Sequence, residues 1–238
     1  MDKQLREQLK HDKFVEEVGH TVHYLSDHKA AVQKYGGIAV GVLVLAIGVY
    51  GFMSWRESSR QEDLRQAALT LDAFIGDQSP TGGLAFKTQA EKDAAILKAM
   101  TEVANKHEGS KEGQLAQMYA TQQLCDQGRL AECESGMRKI ASGGDQNVAS
   151  LAKLSLAELL LAQGKAGEAE TIARELVNNP TAVVSKEQGQ LALARAIAKS
   201  KPQEAQMILQ ALQALDRPAV TRAAVALMGE VMGQQLPR

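Results

Sequence analysis

Tyr35 to Trp55 reads YGGIAVGVLVLAIGVYGFMSW, 21 residues without a charged side chain. A helix on the surface of a soluble protein needs a polar face, and this run has none. As a helix rising 1.5 Å per residue it spans about 31 Å, close to the hydrocarbon thickness of a bilayer. Tyr35 at one end, and Tyr50, Phe52 and Trp55 at the other, occupy the places of interfacial aromatic anchors. The segment therefore predicts a transmembrane helix over 35–55. The 34 residues before it are too long and too mixed in charge for the n-region of a cleavable signal. Its end, Phe-Met-Ser-Trp-Arg, offers no small-x-small cleavage site, so it reads as an uncleaved signal anchor in the lipid bilayer.

The leader, residues 1–34, carries six Lys/Arg and six Asp/Glu. Val15, Val18, Val22 and Leu25 recur at helical spacing, which suits either an amphipathic helix or a polar tail. Lys29 and Lys34 precede the span, and Arg56, Arg60 and Arg65 follow it, so the positive-inside rule assigns no orientation. The short leader and the long following segment favour an N-terminus on the cytoplasmic side.

Beyond the span the chain leans toward helix: aromatic residues are 4% of the whole and prolines number five. Apolar periodicity predicts helices over about 56–75, 88–107, 111–127, 129–141, 147–163, 166–178, 184–199, 202–215 and 218–233. An all-α protein with many short connections between antiparallel helices follows from that pattern. With 27 basic and 28 acidic residues the net charge is −1, and no basic stripe interleaves with aromatic residues. Nucleic acid is not an expected partner.

The chain also repeats itself. GRLAECE begins at 128, GKAGEAE at 164 and SKPQEAQ at 200, an offset of 36 residues both times. Glu132, Glu168 and Glu204 align, as do Cys133, Ala169 and Ala205. An apolar helix precedes each copy. At the second of these aligned positions the two helices of a hairpin cross, and only a small side chain lets their backbones close. Gly164 suits the end of the first helix, Leu156, Ala157 and Leu160 form its packing stripe, Leu176 answers on the second, and Pro180 stops it. Repeats fall around 110–145, 146–181 and 182–217, a half-copy precedes them, and 218–233 supplies a capping helix.

The middle copy, LAELLLAQGKAGEAE with its trailing proline, resembles the tetratricopeptide repeat family. The copies depart from it in lacking the usual large aromatic residues, in Cys133 for alanine and in Ser200 for glycine. The whole plan, with Lys34-Tyr35-Gly36 entering a glycine-rich span, Trp55 at the exit and about three weak repeats over 56–238, resembles the YfgM family. That resemblance implies a single-pass bacterial inner-membrane protein with a cytoplasmic N-terminus and a periplasmic tetratricopeptide-like solenoid. It also implies an ancillary role at a SecYEG-type translocon, in company with a PpiD-like periplasmic chaperone and exported polypeptides. By analogy with the repeat family, Gln122, Asp126, Glu158, Leu161, Gln190 and Ile197 fall on the groove lined by the first helices.

Other residues invite sharper readings. Cys125 and Cys133 flank the turn at Gly128 and suit either a disulfide or two small buried thiols. The thiol reading is the one favoured, because Cys125 can face the groove. Their spacing is not that of a C-x-x-C redox centre. His20, His23 and His28 crowd the leader, but no carboxylate or cysteine completes a convincing metal set. His107 stands alone at a helix end and reads as solvated. Gly37 and Gly41 form G-x-x-x-G, with Gly48 a heptad beyond, a face on which another membrane helix can close. Gly82-Gly83 is loop punctuation. No nucleophile–base pair or phosphate cradle is present, so neither an enzyme nor a cofactor is expected. The function read from the sequence is a non-catalytic, membrane-anchored protein-binding scaffold. A structural scaffold of another cell-envelope complex is the alternative.

Overall fold

The structure is a computed structural model and describes residues 29–80 and 82–233. His20, His23, His28 and the amphipathic part of the leader lie outside those residues. The chain divides into two compact units, Met1–Ser58 and Ser59–Arg238. In the first, helix α1 (Lys29–Ala68) carries the uncharged run. It is long and apolar enough to cross a membrane. Val42, Leu45, Tyr50 and Trp55 are 60–76% exposed, so no described residue covers these side chains.

The second unit begins in the last turns of α1. The helix predicted to reach Ile75 stops at Ala68 instead. There the Thr70 hydroxyl donates to the Ala67 carbonyl (2.7 Å), a local bond that competes with continuing the helix. Downstream, β1 (Phe74–Ile75) pairs in parallel with β2 (Ala85–Phe86), small strands that the sequence reading lacked. Helix α2 (Gln89–Lys106) then packs Ile96, Met100 and Val103 with Leu64 and Ala67 of α1. His107 is not solvated: its side chain is 12% exposed, and Nε2 lies 2.6 Å from Asp63 Oδ2. Lys106, at 2.7 Å, and then His107 hold the Asp63 carboxyl below the usual carboxylate range.

Three hairpins follow, α3 (Lys111–Asp126) with α4 (Leu130–Ala141), α5 (Gln146–Ala162) with α6 (Ala166–Asn178), and α7 (Lys186–Ile197) with α8 (Pro202–Gln213). Helix α9 (Pro218–Gly233) packs on α7 and α8. The two members of each pair start differently. The first helices are capped by Ser110, Asp145 and Ser185, whose side chains accept backbone N–H groups. The second helices have no side-chain cap and place Glu132, Glu168 or Glu204 in the first turn, against the positive end of the helix dipole. At the crossings, Cys133, Ala169 and Ala205 are at most 1% exposed. Gly189 is a second close approach: a Cβ there would meet Val177 N at 2.9 Å, so α7 rests on the backbone of α6.

The turns are not three equal copies. Gly128 and Gly164 take φ of 75° and 77°, and the next residue donates five back, Arg129 N to Leu124 O (2.9 Å) and Lys165 N to Leu160 O (2.8 Å). These are the longer bonds of a Schellman turn, which needs the left-handed residue. Ser200 does not have positive φ. Its turn closes four back, Lys201 N to Ile197 O at 2.7 Å. The third turn is thus one residue tighter, and the core of α7 slips by one against the 36-residue offset. Ile197 takes the place of Leu160, both 0% exposed.

The second helices keep the 36-residue offset and are laced by charge. Glu134 binds Arg138 and Lys165 (both 2.8 Å), and Arg138 binds Glu168 (2.6 Å). The same four positions recur as Glu170, Arg174, Lys201 and Glu204, at 2.6–2.8 Å. Lys165 first and Arg138 second lower the Glu134 carboxyl from its ordinary 4.5 to about 2. Because the folded value lies below the unfolded one, its ion pairs stabilise the fold above about pH 4.5 and are lost as pH falls toward 2. Glu134→Gln will flatten the pH dependence of thermal stability in that window and leave it unchanged between pH 6 and 8. Gly164→Ala will lower stability by about 1–2 kcal/mol in urea denaturation, since alanine pays for the left-handed turn. Ser200→Ala, in a right-handed turn, will change it far less.

Candidate functional site

The packing order defines an inner face. Helix α3 touches α5, α5 touches α7 and α7 touches α9, whereas α4, α6 and α8 form no such row and are bridged by long charged side chains. The side on which backbones approach most closely is therefore lined by the first helices. Their buried stripes (Ala116 and Ala120, Ala152 and Leu156, Leu193 and Ile197) leave a matching exposed row on each. On α3 this row is Tyr119, Gln122 and Asp126, at spacings of three and four. On α5 Glu158 lies on the row, and on α7 Arg195, with Lys199 in the turn just beyond it.

Three of the six groove residues read from the sequence are exposed here. Gln122 donates to Asp126 Oδ1 (3.0 Å), and Glu158 lies 3.6 Å from Arg195, an ion pair that ties α5 to α7 across the face. Leu161 and Gln190 are half-buried. Ile197 requires correction, because the tighter third turn rotates it into the core at 0% exposure. Analogy with the repeat family had placed it on the groove with Leu161. The slip by one brings forward Arg195 and Lys199, which sequence reasoning missed along with the 45%-exposed Tyr119. The serine in place of glycine at position 200 was the available signal.

Leu161 opens onto a cavity of about 300 Å³ between α5, α7 and α9. Leu161, Leu227 and Val231 give it apolar walls, and Arg195, Lys199 and Glu230 bring charge to it. A hollow of about 570 Å³ at the other ends of the helices is polar, with Gln146, Ser150, Asn178 and Asn179, and is crossed by the Lys153–Glu175 pair (2.9 Å). Among the described residues no group of three or more His, Cys, Asp or Glu gathers to hold a metal ion. In α1, a Cβ on Gly41 or Gly48 would meet nothing within 4 Å, and Gly37 lies one turn before Gly41 on the same helix.

Cys125 and Cys133 form a disulfide across the first turn, with Cα atoms 5.0 Å apart. The buried-thiol reading gives way for a geometric reason. Cys133 takes the alanine position at the crossing, and the Gly128 turn brings Cys125 over it, so Cys125 points into the hairpin rather than to the inner face.

Residues 29–217 match the family described as tetratricopeptide repeat-like domain. No curated protein and no solved structure matches the chain. Thiol labelling of the purified, unfolded full-length protein will find no free thiol before reduction and two after it. Cys125→Ser with Cys133→Ser will cost about 2–3 kcal/mol in urea denaturation, as expected for closing so short a loop.

Proposed function

The chain belongs to the tetratricopeptide repeat-like domain family, and from that membership we propose that its inner face is a protein-binding surface held at a membrane by α1. The observation that carries the reading is the exposed row on successive first helices. Tyr119, Gln122 and Asp126 give way to Glu158 and then to Arg195 and Lys199, a face that changes from acidic and amide-rich to basic along its length. An extended polypeptide laid across it meets several weak, chemically distinct contacts. Confinement beside the source of that polypeptide raises its effective concentration, so weak contacts suffice. The mechanism is binding without catalysis.

The finer reading is that of a YfgM-like ancillary subunit: a single-pass protein of the bacterial inner membrane, with the repeat array in the periplasm. There it links a SecYEG-type translocon to a PpiD-like chaperone and to exported polypeptides. Three features support it. The disulfide suits an oxidising compartment. The glycines of α1, Gly37, Gly41 and Gly48, the last two with open space around them, suit close approach by another membrane helix. At the end of the uncharged run Arg56 lies 5.9 Å from the Phe52 ring centroid beside Trp55, a grouping that fits the membrane–water boundary.

A photo-crosslinking residue at Tyr119 or Glu158, in membranes, will capture translocon subunits, the chaperone and a heterogeneous set of exported chains. The same probe at Thr171 on α6 will not. One stoichiometric partner at all inner-face positions would establish the alternative, a scaffold of another envelope complex. A reporter active only in the periplasm, fused after Arg238, will be active. Activity of a cytosolic reporter at the same point would reverse the orientation.

A further inference from the structure

Helix α9 faces its neighbours with Ala224, Leu227 and Val231, all at most 3% exposed. No described element lies against its other side. Ala219, Arg222, Val225, Ala226 and Gly229 are exposed there, Val225 at 56%, and exposed Glu230 stands at the edge of that face, where it also lines the cavity beside α7. The end of a helical solenoid ordinarily keeps a polar outer face, and this one is largely alanine, valine and glycine. Gly229 deepens the anomaly. Glycine inside a helix costs about 1 kcal/mol relative to alanine. Yet a Cβ at Gly229 would meet nothing within 4 Å, so packing among the described residues does not call for it.

The two charges on the face carry the argument to a partner. Arg222 and Glu230 are eight residues apart, about 12 Å along the axis, too far to pair with each other. The Arg222 Nε donates to the Pro218 carbonyl (3.2 Å), and neither residue forms an ion pair among the described residues. They lie four residues to either side of Ala226. We propose that this face binds a second copy of the chain, the two α9 helices running antiparallel about a two-fold axis at Ala226. That symmetry sets Arg222 of each copy level with Glu230 of the other, on opposite edges of the seam and within reach of both side chains. It sets Gly229 level with Ala223, where small residues let the backbones close. A self-complementary patch of this kind is what an isologous dimer requires. A single helix pair buries less than the 1,200 Å² or so of a stable interface, so the association is weak between dilute copies.

Oxidative cross-linking of the full-length chain in its membrane tests this. A residue on a two-fold axis meets itself, so Ala226→Cys will give a disulfide-linked dimer. The yield will be at least about fivefold above that of Ala211→Cys, an exposed position on α8 that reports random collision. The native cysteines, already paired, do not compete. In the Ala226→Cys background, Arg222→Glu and Glu230→Arg will each lower the yield about fivefold, by setting like charges level. The double exchange will restore it, because both pairs re-form with their signs swapped. Equal yields at 226 and 211, a cross-link from 226 to another protein instead, or a double exchange no better than the singles would overturn the proposal. Melting curves matching the parent keep loss of fold from imitating these results.

Discussion

Everything in the repeat array depends on one steric condition: at three crossings the second helix must lie almost on the backbone of the first. Cys133, Ala169 and Ala205 meet that condition with side chains of at most 1% exposure. A larger residue at any of them would lift the hairpin open and withdraw Leu160, Leu176 or Leu209 from the core. The close crossings also explain the sparse use of aromatic residues. Helices this near one another fill their cores with alanine, leucine and methionine, and the buried apolar residues of the array are mostly those types.

Much of this was legible from the chain alone, for a simple reason. A hairpin repeat writes its small residue, its turn residue and its packing stripe at fixed offsets. The positions of Ala169, Gly164 and Leu156 therefore announce a geometry before any coordinate does. What was not legible came from contacts between distant residues or from a single changed turn. Ser200 looked like a tolerated substitute for glycine. Its backbone, unable to enter the left-handed region cheaply, shortened the turn and moved Ile197 off the inner face and Arg195 onto it. His107 looked solitary because Asp63, its partner, lies 44 residues earlier on another helix. The alignment of Glu168 with Glu204 was visible. That Arg138 and Arg174 reach those glutamates required knowing how far apart the second helices stand.

The inner and outer faces are built on opposite principles. Outside, charges pair with one another, so the surface is internally neutralised and spends its groups on holding repeats in register. Inside, the row is paired more sparsely, Gln122 with Asp126 along one helix and Glu158 with Arg195 at 3.6 Å. Groups already committed to partners make poor recognition elements, because a ligand must first displace those partners. That contrast distinguishes the two faces chemically.

The charge lacing is unevenly distributed along the array. At the first junction, Lys98 and Glu102 occupy the offsets of Glu134 and Arg138 with the signs reversed, and Arg129 pairs with Glu132 inside its own helix (2.6 Å). On α8 itself, Gln206 and Gln210 stand where the charges would recur. The hairpin without that four-residue ladder behind it is the one with the covalent clasp, and at the far end a single ion pair, Arg217 with Glu187 (2.7 Å), ties the start of α9 to α7. In a chain of nearest-neighbour units, opening starts where the coupling is weakest. Amide hydrogen exchange will thus run as a gradient, quickest in α9 and slowest around the clasped turn, so the array unravels from one end while the other stays folded.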